Sequence, residues 1–189
     1  MTRSIRWFGL AALVVVGLAA GPAGAQVVPW KVAGSGSGPN GFSITGGDTP
    51  YSVSGRATHL GNYTGSGNAQ SLSFDPQTGS GTFRGTYTFV AANGDKLACT
   101  HGDTDNGAEQ AGTYQVYPAA DGQVYVVYVA EFNPIPDQCT GRFKNVVDGS
   151  LIMTATSEPF DLTIDANGYT PPFSFSWEGT GWLKFQRGK

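Results

Sequence analysis

Two histidines, two tyrosines and one glutamate are the side chains of this sequence best suited to acid–base chemistry. His59 lies within the stretch GRATHLGNYTGSG, and His101 ends the stretch KLACTH. If both rings point into an apolar interior beside Tyr63 and Tyr87, burial would move their pKa values towards working pH, as general acid–base catalysis requires. Glu131 is a further candidate. We therefore take His59, His101 and Glu131 as candidate catalytic residues without assigning a reaction to them.

A packing role is the competing interpretation, and for His59 we favour it. Strand alternation places His59 on the same face as Val53 and Tyr63, so its side chain is predicted to point inward. There it would donate one ring N–H to a neighbouring hydroxyl or carbonyl, as buried polar groups usually do. Glu131 lies in the run 123–132, which is apolar on both faces, so alternation does not predict which way its side chain points. A position at a barrel mouth is an alternative for this residue.

The segment 101–109, HGDTDNGAE, carries enough oxygen atoms to suggest a Ca²⁺ loop. It does not fit the EF-hand pattern, because Gly107 and the following glutamate fall at the wrong spacing. We expect a solvated polar turn here and assign no metal ligand.

Period-two alternation is the main structural signal. In the stretch FRGTYTFV, Phe83, Tyr87 and Phe89 share one face. Asn93-Gly94 is a hairpin turn signal, and we predict two further hairpins at Asp121-Gly122 and Asn167-Gly168. Strands are predicted at 30–33, 52–64, 71–74, 83–90, 96–101, 113–117, 123–132, 142–147, 151–156, 160–164 and 173–185. The sequence thus predicts an all-β fold, a single antiparallel β-barrel of about eight strands with no significant helix in the mature chain.

An apolar barrel interior would hold a ligand mainly by burial, with a few polar anchors. The inward aromatic residues of the predicted strands are the expected wall of such a site. They are Tyr63, Phe83, Tyr87, Phe89 and Trp177.

Cys99 and Cys139 are the two cysteines of the chain. An even count in a chain that leaves the cytoplasm favours a disulfide, and strand alternation points both side chains inward. We predict a Cys99–Cys139 bridge.

The N-terminus has the pattern of a secretory signal peptide. Arg3 and Arg6 precede a short apolar run, and a small-residue cleavage site ends at Ala25. We predict removal of residues 1–25, one barrel domain over 26–189, a secreted or periplasmic location, and no membrane association after removal of the signal. The net charge of the whole chain is -3, and the signal takes two of its basic residues. An acidic chain without a basic cluster speaks against nucleic-acid binding.

Three stretches, GRATHLGNYTGSG, GTFRGTYTFVAANGDKL and TGRF, resemble the secreted bacterial proteins of the allene oxide cyclase barrel-like family, relatives of plant allene oxide cyclases and dirigent proteins. The resemblance covers about residues 50–102 well and 140–185 loosely. It implies an eight-stranded antiparallel barrel of calycin type that acts without a cofactor. No catalytic carboxylate of the plant enzymes matches a position here, so no active-site residue is carried over.

These observations lead to three functional hypotheses. The first is a secreted barrel that binds a small apolar molecule in its interior or serves as a non-catalytic module. The second is a cofactor-free cyclase or isomerase acting on a reactive apolar substrate, and the third is a structural or adhesive extracellular protein. No nucleophile elbow, zinc-protease motif, P-loop or dinucleotide fingerprint occurs in the sequence. A monomer and a homo-oligomer are both compatible with it.

Overall fold

The structure, a computed structural model, describes residues 24–186, and β-strands account for most of them. The described helices are single 3₁₀ turns, which confirms the all-β prediction. All but the last two residues of the predicted signal peptide lie outside the described part, and β1 begins at Gln26. The strands are β1 Gln26–Gly38, β2 Asp48–Ala57, β3 Gly61–Asp75, β4 Ser80–Ala91, β5 Lys96–His101, β6 Gly112–Pro118, β7 Val124–Pro134, β8 Val146–Ser157 and β9 Phe173–Phe185.

The strands close into a barrel-like antiparallel ring. β1 pairs with both β2 and β9, and pairing continues through β3 and β4 on one side and through β8 and β7 on the other. β5 and β6 both bridge β4 and β7, so they share a single position in the ring. The ring therefore has eight positions filled by nine strands, which confirms the prediction of about eight strands.

The break between β5 and β6 lies in the middle of the barrel wall. His101, the last residue of β5, pairs with Gly85, and Gly112, the first residue of β6, pairs with Phe83. The chain therefore leaves the sheet after His101, makes a ten-residue excursion and returns almost in line. This break positions the His101 ring halfway along the barrel.

Glycines on the strands give room for aromatic rings from neighbouring strands. A Cβ at Gly34 would lie 2.5 Å from the Tyr63 hydroxyl oxygen, and a Cβ at Gly67 would lie 2.7 Å from ring carbons of Tyr51 and Tyr87. The rings cover the bare backbone and pack the interior at the same time. Aromatic packing thus accounts for several of the strand glycines among the 28 glycines of the chain.

One half of the barrel is filled with side chains, and we call it the packed half. Phe89 is fully buried there, with its ring centroid 5.7 Å from Trp30, 5.3 Å from Tyr63 and 4.6 Å from Tyr87. Leu97, Leu151 and Leu183 are also fully buried.

A short 3₁₀ turn, Gly141–Phe143, closes the packed end. Arg142 joins two inter-strand turns there, because its Nη1 donates to the His59 carbonyl (2.9 Å) and its Nε pairs with the Asp95 carboxylate (2.8 Å). The neighbouring Phe143 is fully buried.

Two loops cap the opposite end. The β1–β2 loop lies against the β8–β9 loop, where the Phe42 N–H donates to Thr170 Oγ1 (2.8 Å) and the Thr170 N–H donates to the Phe42 carbonyl (3.0 Å). Phe42 is 4% exposed and packs edge-on against Tyr114 and Tyr128. Phe42 belongs to a loop, and it was not among the residues that the sequence predicted in the barrel interior.

Three of the predicted elements are wrong in detail. The predicted strand 52–64 is two strands, because Thr58, His59 and Leu60 form the turn between β2 and β3. Residues 160–164 make only one isolated bridge, Val124 with Phe160, so the Asn167-Gly168 turn lies inside a long loop rather than a hairpin. The predicted strand 142–147 begins as a 3₁₀ turn and joins β8 only at Val146.

The predicted Cys99–Cys139 disulfide is also wrong. Both cysteines are buried free thiols, and their sulfur atoms are not at disulfide distance. Cys99 faces inward on β5 as predicted, but Cys139 ends the 3₁₀ turn Pro136–Gln138 rather than lying on a strand. Its Sγ lies 3.3 Å from the Ile135 carbonyl oxygen, to which it donates. Strand alternation therefore did not apply to Cys139.

Candidate functional site

An apolar cavity of about 70 Å³ occupies the half of the barrel under the capping loops. Its floor is Trp177, which also packs against Tyr87 and Phe89 of the packed half. The remaining wall is almost wholly aromatic and aliphatic, with His101, Tyr51, Tyr128 and Thr49 as the polar side chains. The wall is formed by Gly38, Phe42, Thr49, Tyr51, Ala69, Phe83, His101, Tyr128, Ala130, Phe132, Met153, Ala155, Phe173, Phe175 and Trp177.

Among the described residues of the cavity wall, His101 is the only histidine, and none is a lysine, arginine, aspartate or glutamate. Its ring is 1% exposed and stacks on Phe132, with the ring centroids 4.9 Å apart. Nε2 of the ring and the Tyr51 hydroxyl form a hydrogen bond of 2.9 Å. Nδ1 makes no hydrogen bond to any described residue. The site thus joins an apolar cavity to one hydrogen-bonded pair with one free nitrogen.

Burial keeps the His101–Tyr51 pair uncharged. It lowers the pKa of His101 from 6.5 to about 4, and the main chain of Asn68 and Thr86 and the Asp103 carboxylate oppose this shift only partly. Neither main-chain group reaches hydrogen-bond geometry with the ring. Burial likewise raises the pKa of Tyr51, and the neighbouring Tyr87 and Cys99 raise it further. At neutral pH the pair can therefore donate or accept hydrogen bonds but carries no charge.

The buried His101 should make the protein less stable in mild acid. Between about pH 6.5 and 4 the unfolded chain binds a proton at His101 and the folded chain does not, so the free energy of unfolding falls as the pH falls. From pH 7 to pH 5 we expect a loss of about 2 kcal/mol from this residue. Urea unfolding of wild type and His101→Phe at both pH values measures it.

The variant His101→Phe keeps a ring against Phe132 and should lose this pH dependence, whereas His59→Gln should retain it. An equal loss in wild type and His101→Phe would show that another group is responsible.

The five predicted ligand-binding residues divide between the two halves of the barrel. Phe83 and Trp177 line the cavity. Tyr63, Tyr87 and Phe89 point inward, as the alternation predicted, but they fill the packed half. The Tyr63 hydroxyl accepts a hydrogen bond from Trp177 Nε1 (2.7 Å), so it supports the cavity floor from below.

His59 does not face the interior, and this prediction is wrong. It lies in the turn after β2 with a φ of 67°, and its side chain is exposed. Its Nε2 donates to the Pro29 carbonyl (3.0 Å), so the expected ring-to-carbonyl bond exists, but at the surface of the packed end. Leu60, one residue later, takes the buried position. His59 and His101 are therefore not brought together.

Glu131 points outward on β7, between the inward residues Ala130 and Phe132. Its carboxylate accepts hydrogen bonds from the Glu109 N–H (2.8 Å), the Asn133 amide (3.1 Å) and the Ser150 hydroxyl. Burial acts to raise the pKa of Glu131, but these hydrogen bonds outweigh it and lower the pKa. Glu131 thus anchors the excursion between β5 and β6 and has no place on the cavity wall.

The segment after His101 forms a capped 3₁₀ turn, Thr104–Asn106. Asp103 accepts hydrogen bonds from the Asp105 N–H (3.1 Å) and the Asn106 amide (2.8 Å), and Asp105 pairs with Arg84 (3.3 Å). Within residues 24–186, no group of three or more His, Cys, Asp and Glu side chains is arranged to hold a metal ion. The Asp103 carboxylate thus serves this turn, and the Asp105 carboxylate pairs with Arg84.

Sequence reasoning missed most of the cavity wall. The alternation of residues 173–177 puts Phe173 and Phe175 on the same face as Trp177, and this signal could have found them. Phe42 could have been suspected as the one aromatic residue of a Gly- and Ser-rich loop. Alternation predicts whether a side chain points inward, but not where along the barrel axis it lies. That position decides which inward residues line the cavity.

Comparison with protein-family models, curated proteins and solved structures gives no match to this chain. In the described part of the chain, no helix has the length and apolar character needed to span a bilayer. The cavity is therefore the feature of this chain that points to a function.

Proposed function

We propose that this protein is exported and binds a small apolar molecule inside its barrel. One observation carries the proposal: an apolar cavity, lined by strands and a capping loop, has one hydrogen-bonded pair of polar side chains, Tyr51 and His101, on its wall. Burial of a ligand against such a wall is favourable by roughly 25 cal/mol for each Å² of apolar surface removed from water. Export is supported by the signal-like N-terminus, and β1 begins at Gln26, the first residue after the predicted cleavage site.

The resemblance to the allene oxide cyclase barrel-like family is compatible with this proposal, because it implies a barrel that holds an apolar molecule without a cofactor. The acidic charge of the chain favours an uncharged ligand over nucleic acid as the partner. A monomer and a homo-oligomer are both compatible with a ligand in the cavity, because the cavity lies inside a single barrel.

Toluene is a suitable probe, and the Met153 methyl group is a suitable reporter. Met153 lines the cavity, and Met1 is the other methionine of the chain. In protein labelled with ¹³C at the methionine methyl groups, we expect toluene to shift the Met153 signal in a saturable manner. Ala155→Leu adds three carbon atoms to the cavity wall and should weaken binding at least about tenfold, because it occupies the space of the ligand.

The matched control is Ile152→Leu, a substitution on the same strand at an outward position that is 51% exposed. It should bind toluene like the wild type. A Met153 signal that does not respond to toluene, or responds equally in Ala155→Leu, would refute binding in the cavity.

A cofactor-free cyclase or isomerase is the second candidate, favoured by the hydrogen-bonded Tyr51–His101 pair on the cavity wall. A neutral histidine beside a tyrosine can exchange a proton with a bound substrate. If turnover of an apolar epoxide or ketone is found, His101→Phe should abolish it and His59→Gln should not. Turnover that survives in His101→Phe would remove the pair from the mechanism.

A further inference from the structure

The basic residues of the described chain gather at the packed end of the barrel, although they are far apart in the sequence. Lys31 and Arg56 lie on β1 and β2 beside the turn that joins β2 to β3, where the Thr58 N–H donates to the Lys31 carbonyl (2.9 Å). Of the seven described lysines and arginines, only Arg84 lies elsewhere, in β4 opposite the break between β5 and β6. The six at the packed end are Lys31, Arg56, Lys96, Arg142, Lys144 and Lys184.

Five of these six cations have no ion-pair partner. Within residues 24–186, the one ion pair at this end joins Arg142 to Asp95. Two further carboxylates, Asp137 and Asp148, lie at the same end and pair with no described lysine or arginine. Five free cations thus stand against two free carboxylates, and the packed end is positively charged in a chain whose net charge is -3.

The end closed by the two capping loops, here the capped end, has the opposite charge. Its described strand ends and loops contain no lysine or arginine, and they carry the carboxylates of Asp48, Asp75, Asp121, Glu158, Asp161 and Asp165. The 13-residue strand β9 runs from one end to the other, which with the usual strand tilt is about 30 Å. This separation is about three Debye lengths in 0.1 M salt, so the carboxylates do not cancel the field of the packed end.

Exposed apolar side chains lie among the cations of the packed end. Val27 is 60% exposed, Val147 is 41% exposed and Trp182 is 36% exposed. Val27 is paired with Lys184 of β9, and the bulge of β8 that contains Val147 lies on the other side of Lys184. Trp182 precedes Lys184 by two residues, so both side chains share the outer face of β9. We call these four residues, together with the nearby Lys31 and Lys144, the outer patch.

The composition of the outer patch matches an anionic lipid surface. Unpaired lysines are attracted to acidic headgroups, and tryptophan and valine side chains enter the boundary between headgroups and acyl chains. A soluble polyanion would engage the lysines but would leave the exposed apolar side chains in water. The carboxylates of the capped end would be repelled by the same surface, which favours one orientation of the barrel.

We propose that the packed end docks on an anionic lipid bilayer through the outer patch and that the capped end, with the cavity, faces away from the bilayer. This proposal replaces the sequence-based expectation of no membrane association, which was drawn from a chain whose basic residues are not adjacent. It uses no residue of the cavity wall and does not depend on a ligand.

Co-sedimentation with lipid vesicles tests the docking. The exported protein, freed of its signal sequence, is used because a retained signal would bind lipid by itself. We expect binding to vesicles of equal parts phosphatidylglycerol and phosphatidylcholine and none to phosphatidylcholine alone. In 1 M NaCl, where the Debye length falls to about 3 Å, binding should be lost. The fluorescence of Trp182 should shift to shorter wavelength on binding, because its ring leaves water.

Lys144→Gln removes one charge from the outer patch and should weaken binding about fivefold. Arg84→Gln removes the same charge away from the packed end and should leave binding unchanged. Trp182→Thr should weaken binding at least about tenfold, because it removes apolar surface that enters the bilayer. Leu72→Thr is its control, since Leu72 is 48% exposed on β3 towards the capped end, and it should bind like the wild type.

Absence of binding to the anionic vesicles would overturn the proposal, and so would equal effects of Lys144→Gln and Arg84→Gln. Retention on dextran sulfate beads without binding to vesicles would assign the packed end to a soluble polyanion and also overturn it. The response of the Met153 methyl signal to toluene is measured on the same protein. If that response persists while vesicle binding is absent, docking fails and the proposed cavity function stands.

Discussion

Gly85→Ala is expected to destabilise the protein by about 3 kcal/mol or more and to disrupt the His101 site. A Cβ at Gly85 would lie 2.6 Å from Cε1 and 2.7 Å from Nε2 of His101, and it would also collide with the Asn68 carbonyl oxygen. The carbonyl belongs to the neighbouring strand and cannot rotate away, so either the ladder or the histidine must move. Movement of the ring would break its hydrogen bond to Tyr51.

Gly38→Ala is the matched control, because Gly38 also lines the cavity and has space for a methyl group. The nearest atom to a Cβ there is the Gly41 carbonyl oxygen at 3.7 Å. We expect its free energy of unfolding to change by less than about 1 kcal/mol. Urea unfolding of both variants measures the difference, and two equal losses would mean that glycine as such, rather than contact with His101, is required.

Phe89→Ala is expected to cost about 3–5 kcal/mol, as truncation of a fully packed phenylalanine does. Phe89 is fully buried and contacts Trp30, Tyr63 and Tyr87 on all sides. Phe175→Ala removes a similar side chain, 8% exposed, but from the cavity wall, where one side of the ring already faces empty space. Fewer contacts are lost there, so we expect Phe175→Ala to cost at least about 1 kcal/mol less.

Chemical denaturation of the two variants under identical conditions provides the measurement. Phe175→Ala should also admit a larger probe, such as naphthalene, that the wild type excludes. Equal losses of stability in the two variants, with no change in the size of probe admitted, would contradict the division of the barrel into a packed half and a cavity half.

The ring of strands was predictable because each strand repeats a simple alternation. Inward Phe83, Tyr87 and Phe89 on β4, and the turn at Asn93-Gly94, come directly from residue type and spacing. His59 was misplaced because the sequence around it continues to alternate through a turn. No local pattern marks the left-handed conformation that His59 adopts.

Strand alternation could predict neither that the two cysteines stay apart nor where the cavity lies. Cys139 belongs to a 3₁₀ turn whose path is set by tertiary hydrogen bonds, such as the Thr140 N–H to the Lys96 carbonyl (2.9 Å). The cavity arises where long side chains on opposite strands fall short of each other, with Ala69, Ala130 and Ala155 on its wall. His101 could be named from the sequence, but its bond to Tyr51 required the register of four strands.

A crystal structure determined under xenon pressure tests the central claim most directly, because xenon enters apolar cavities without needing a specific contact. Because one half of the barrel holds a cavity and the other is packed, we expect xenon density in the cavity, beside the His101 ring and among Phe42, Phe132, Met153 and Trp177. We expect none around Phe89 in the packed half. A barrel without xenon in that space, with side chains meeting across it, would contradict the account.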